Sequence, residues 1–185
     1  MNSSNIQFKA QQRGFNLVEV MVTITVLAIL VTLAAPSYTT FIADQQIKAT
    51  SKEIVRNIQY ARSEAVSRNA VITMGRTPGS ANKAWEGGWQ IYVDATPTGN
   101  SAFAAATDTM LRTVVRQAEG VTLSADNNAN NWVSFRRDGR LLETAGINNV
   151  VFAVCDGRGT DSGRAITINS IGRAQITDNP ASCNP

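Results

Sequence analysis

The sequence predicts an α+β protein: one long N-terminal helix, its first half membrane-spanning, packed through its second half on an antiparallel β-sheet head. Three observations predict it. Phe15–Ala35 is an apolar run with one formal charge, residues 37–69 repeat apolar side chains at helical spacing, and from residue 70 onward short β-type runs alternate with Gly, Pro, Asn and Asp clusters. With 185 residues, 43% of them hydrophobic and 17% charged, the chain can bury a core, which excludes a collagen-like or disordered polymer. There is no histidine anywhere. That removes the usual general base near neutral pH, the Ser/His and Cys/His nucleophile pairs and most zinc sites. Neither an enzyme nor a cofactor or metal is expected.

The elements follow in order. Residues 1–14 form a polar leader carrying Lys9 and Arg13. The 21 residues after it, as a helix rising about 1.5 Å each, span roughly 30 Å, one bilayer crossing. The basic flank predicts a cytoplasmic N-terminus, with everything after about residue 36 outside. The run is longer than the roughly 7–15 residues of a cleaved secretory signal, and its small-residue exit, Leu33-Ala34-Ala35, leads directly into Pro36. A retained anchor over residues 15–36 is therefore expected. Glu19 is its anomaly, since a carboxylate in an apolar helix costs about 2.5–3.5 kcal/mol and normally has a partner.

Pro36 lacks an amide hydrogen and predicts a kink or local break, after which residues 37–69 resume the helix. Ile47, Ile54, Ile58, Ala61 and Ala65 fall on one helical face, while Lys48, Lys52, Arg56, Arg62 and Arg68 mark a solvated one. Strands are expected at Ala70–Met74, Trp89–Val93, Met110–Val115, Val121–Ser124, Trp132–Arg136, Leu141–Thr144, Val150–Val154 and Ala165–Asn169. Within residues 70–185, Asp138-Gly139 reads as a tight hairpin turn, and Ala95–Thr107 and Asp126–Asn131 as loose loops.

Gly14-Phe15-Asn16-Leu17-Val18-Glu19 resembles the class III signal of type IV pilins and type II secretion pseudopilins. The resemblance implies cleavage by prepilin peptidase between Gly14 and Phe15, N-methylation of Phe15, and a meeting of Glu19 with the N-terminal amine of a neighbouring subunit. Asn16 stands where Thr is commoner. The physics agrees, because a carboxylate buried among packed helices needs such a cation. Tyr60–Val66 with Arg68-Asn69, and Cys155–Gln175, narrow the likeness to the GspH/FimT group of minor pilins and pseudopilins. That group implies a lollipop-shaped, single-pass subunit of the bacterial inner membrane with a periplasmic head, partnered by other pilins in a helical fibre. The implied function is that of a minor pilin in type IV pilus assembly, with DNA capture for natural transformation. The alternative is pseudopilin H of a type II secretion system, meeting secreted proteins and other pseudopilins.

Two cysteines, Cys155 and Cys183, suit one disulfide once the head is exported; two buried thiols are the alternative. FimT-type minor pilins carry a Gly-Arg-x-Arg motif that binds DNA. Here Gly172-Arg173-Ala174-Gln175 keeps only its first arginine. A weak, sequence-independent DNA contact is expected from Arg158, Arg164 and Arg173, each beside glycine. The competing expectation is that these arginines flank turns and pair locally with Asp156, Asp161 and Asp178.

Overall fold

The computed structural model describes residue 14 and residues 16–79, 83–96, 102–116, 120–129, 131–142 and 149–183, without the side chains of 33–36. It divides into two compact units, with the boundary between Phe41 and Ile42. One helix, α1 (Leu17–Arg68), runs through that boundary. Its ends follow from local chemistry. Asn16 is the N-cap: its Oδ1 accepts from Val18 N at 3.3 Å and its carbonyl from Val20 N at 3.2 Å. At the other end Asn69 adopts φ +49°, Ala70 N donates to Ala65 O, and Asn69 N to Val66 O. This is the left-handed Schellman ending that small amide side chains tolerate. Pro36, where a kink is expected, lies among residues 33–36, whose side chains are outside the described set. Among the described residues no single straight helix is long and apolar enough to cross a membrane; Leu17–Thr32 and Ser37–Arg68, bent by 42° across the residues between them, meet the requirement as a pair, by length and composition.

In the second unit the expected stripe is buried, with Ile47, Ile54, Ile58, Ala61 and Ala65 all at 0–1% exposure. It packs against strands of two sheets rather than the one expected. The first sheet has the order β3-β2-β1-β5, from β1 (Ile72–Arg76), β2 (Gly88–Val93), β3 (Thr109–Val115) and β5 (Trp132–Phe135). The second has the order β4-β6-β7-β8, from β4 (Val121–Ala125), β6 (Asn149–Asp156), β7 (Arg164–Asn169) and β8 (Ala174–Asp178). All pairings are antiparallel. Side chains of both sheets and the helix share one core, in which Trp85 meets Phe152 edge-on at 5.0 Å. Trp85 and Trp89 are fully buried core residues, while Trp132 is half-buried beside Gly75.

Two edges are blunted by short segments, which is how sheets avoid unwanted pairing. Ala84 bridges Ser124 and Trp85 N donates to Leu123 O, covering β4. Leu141 bridges Phe135 and Leu142 N donates to Ser134 O, covering β5. Among the described residues the strand expected at Leu141–Thr144 is a bridge at Leu141, whose N–H is taken by Ser170 O in the turn after β7; residues 143–144 lie outside the described set. The tight turn at Asp138-Gly139 forms, with Gly139 at φ +78°. Asp126–Asn131 is not loose: Asp126 Oδ1 accepts from Asn128 N and Ala129 N, which buries Ala129 in the core. Asp108 similarly ties Ala95 N and Ala104 N.

Candidate functional site

The first unit presents α1 with its apolar surface uncovered. Leu17, Met21, Ile24, Leu27 and Val31 are each more than half exposed, as are most of their apolar neighbours. Its hydroxyls turn inward: Thr23, Thr25 and Thr32 each donate to a backbone carbonyl three or four residues earlier, at 2.8 Å. None of these three hydroxyls is left seeking water, a property suited to a dry environment. Glu19 lies in the first helical turn, where the helix dipole favours an anion, and it is exposed. Gly14 is exposed as well, whereas Phe15 and the leader before Gly14 lie outside the described residues. The arrangement is a helix made for apolar surroundings, with one carboxylate near its N-terminal end and no cation beside it among the described ion pairs.

The second unit separates the arginines that the sequence grouped. Arg158 lies after β6, bonded to Asp156 at 2.7 Å and Asp44 of α1 at 2.8 Å. The Arg158 hydrogen bond holds the Asp156 carboxyl below the usual range, and the two carboxylates raise the Arg158 guanidinium above its own. Arg164 opens β7 and pairs with Asp178 at 3.2 Å. Arg173 sits at the other end of the same hairpin, beyond the Ile168–Ala174 pair, while Arg164 faces Asp178. About five strand residues, on the order of 17 Å, separate the two. The three arginines therefore do not form one site, and two of them follow the competing expectation of local pairing.

Cys155 and Cys183 form a disulfide with Cα atoms 5.8 Å apart, and Ser124 Oγ donates to Cys183 O. The C-terminal tail is thereby tied to β4 and β6. The closeness of this corner is visible at Gly163, where an added Cβ would lie 2.9 Å from Cys155 Sγ.

Two arginine arrangements were not foreseen. Arg62, expected on a solvated face, donates from Nε to Gly139 O at 2.9 Å. It also lies against Gly172, whose added Cβ would be 2.2 Å from that same carbonyl oxygen. The two glycine turns thus close onto α1, and the only local signal was the pair of glycines. Arg116, just after β3, donates to Thr50 Oγ1 at 2.7 Å and pairs with Glu53 at 3.3 Å, both on α1, and burial lowers its pKa. No metal-binding group of three or more His, Cys, Asp or Glu occurs among the described residues.

The comparisons with known proteins agree with this architecture. The family described as Type II transport protein GspH matches residues 50–172, and the prokaryotic N-terminal methylation motif matches residues 9–35. No curated protein gives a significant match. Among solved structures the chain is similar to the type IV minor pilin FimU of Pseudomonas aeruginosa in two crystal forms, at 29% identity. The P21 form has TM-score 0.61 over 77% of this chain and 98% of that one; the P65 form has 0.58 over 74% and 98%. The minor pseudopilin EpsH of the Vibrio cholerae type 2 secretion system is also similar, at 9% identity and TM-score 0.43, over 72% of this chain and 97% of that one. A methylation motif on an uncovered apolar helix, ahead of a head matched over most of its length, makes this chain a member of the GspH family of pilin-like structural subunits, not an enzyme.

Proposed function

We propose that the chain is a minor subunit of a type IV pilus, cut by prepilin peptidase after Gly14 and assembled through α1. The observation that carries this is the apolar surface of Leu17–Ile42, which nothing else in the described chain covers. Cleavage would create a cationic, N-methylated amine at Phe15. Packing of α1 among equivalent helices would place Glu19 in a dry environment, where a lone carboxylate is costly and a neighbour's amine offsets that cost. The subunit would wait in the inner membrane with its head in the periplasm until incorporated. The 29% identity with a type IV minor pilin favours the pilus.

A second reading, a pseudopilin of a type II secretion fibre, is favoured by the family match itself, whose description is type II transport. The DNA contact expected from Arg158, Arg164 and Arg173 is not part of the proposal, because ion pairs already occupy the first two. Deletion in the source organism separates the readings. Loss of sheared surface fibres with normal exoprotein secretion is expected. Intact fibres with exoproteins held in the periplasm would make the chain a secretion subunit.

A further inference from the structure

At the C-terminal end of α1 the two glycine turns meet, the Gly139 turn of residues 136–140 and the Gly172 turn of residues 169–173. Arg62 Nε binds Gly139 O at 2.9 Å and Leu141 N binds Ser170 O at 3.0 Å, which fixes the turns to each other. Arg136, Arg137, Arg140 and Arg173 project from them, exposed and without a carboxylate partner among the described ion pairs. Asp138 is the one acid in these turns, and its Oδ1 accepts the Arg140 main-chain N–H. Beside the first two arginines is a hollow of about 340 Å³, lined by Val71, Leu142 and Asp138 as well.

The same face is apolar. Among the described residues after Ile42 the exposed large apolar side chains are Val66, Val115 and Ile171. Val66 (54% exposed) and Ile171 (50%) both border these turns: Val66 Cγ2 would lie 3.1 Å from a Cβ at Gly139, and Ile171 precedes Gly172. Arginine is enriched at protein interfaces, and exposed apolar side chains beside it give such a contact area that water can leave. A phosphate backbone would use the cations and leave the valine and isoleucine in water. Residues 37–185 hold 15 basic and 13 acidic residues, so a broad basic footprint for nucleic acid is lacking as well.

We propose that this face docks an acidic protein segment bearing an apolar side chain, with carboxylates meeting Arg137, Arg140 and Arg173 and the apolar group seated against Val66 and Ile171. The proposal is independent of fibre assembly through α1, because docking can fail while Glu19-dependent assembly persists.

The test is fluorescence anisotropy on the full-length protein in detergent micelles. The probe is a labelled glutamate-rich dodecapeptide with one central leucine, run beside its all-glutamate counterpart, a short DNA duplex and protein-free micelles. The leucine peptide is expected to bind more tightly than either alternative. Replacing Arg137, Arg140 and Arg173 together by Ala should weaken it about tenfold, from three exposed ion pairs of ordinary strength. Val66→Ser with Ile171→Ser should abolish the preference for leucine while leaving all-glutamate binding unchanged. An unchanged denaturation midpoint for each variant verifies the fold. Duplex binding tighter than peptide binding and indifferent to Val66 and Ile171 would overturn the proposal, as would no binding of the leucine peptide beyond that of micelles.

Discussion

The two halves of α1 are the same secondary structure obeying opposite rules. From Leu17 to Val31 apolar side chains are exposed all around the helix, whereas from Ile47 to Ala65 they are buried and the charges face out. Amphipathic periodicity arises only where one side of a helix meets water and the other a core. Its absence in the first half suits surroundings that are apolar on every side, which the described residues do not provide. The second half is completed within its own chain by the two sheets. The first half needs partners from outside it.

The contrast is tested most strongly by making one substitution in each half. Ile58→Ala should cost about 4 kcal/mol, since Ile58 is fully enclosed and its cavity cannot collapse onto a rigid sheet. Ile24→Ala, at 61% exposure, should leave head stability within about 0.5 kcal/mol of the parent. Denaturant unfolding followed by the fluorescence of the buried Trp85 and Trp89 reads both. Replacing Cys155 and Cys183 by Ser should cost about 3 kcal/mol, because the bond closes a separation of 28 residues in the unfolded chain. The same unfolding curves measure it, and parent protein under reductant should match.

Gly172→Ala should cost about 2 kcal/mol, from its φ of +76° and the added Cβ set against Gly139 O. Gly79→Ala, with a similar φ but open space, should cost about 1 kcal/mol. The smallest effect is a pH dependence. The folded Asp156 carboxyl is held below its unfolded value by Arg158, so its contribution is present above about pH 4 and lost as pH falls through the lower, folded value. Arg158→Ala should flatten that acid limb in unfolding midpoints taken across the range, by slightly lowering the midpoint near neutral pH while leaving the acid end unchanged.

What could be read beforehand divides along the range of the physics. The stripe Ile47–Ala65 and the end of α1 at Asn69 were legible because helical spacing and a left-handed C-terminal residue are local signals. The Asp138-Gly139 turn was legible for the same reason. β8 was missed: Ala-Gln-Ile-Thr-Asp is short, mostly exposed and on a sheet edge, so it lacks an apolar pattern. The split into two sheets was not legible either, because it depends on which strands pair, and Val150–Val154 reads alike in either sheet. At the candidate sites, glycine–arginine spacing drew attention to Arg158, Arg164 and Arg173 together. Asp44 neutralises Arg158 from 114 residues away, and no local pattern encodes such a pair. The Arg62 contacts with Gly139 and Gly172 are equally nonlocal.

The central claim, that the uncovered helix is an assembly element acting through Glu19, is tested most directly by comparing parent and Glu19→Ala chains in sheared fibre and membrane fractions of the source organism, with N-terminal masses from each. The account predicts parent protein in the fibre fraction beginning at methylated Phe15, and the variant cleaved at the same bond but held in the membrane fraction. An intact residue 1–14 leader on the parent, or equal recovery of the Glu19→Ala chain in fibres, would contradict it.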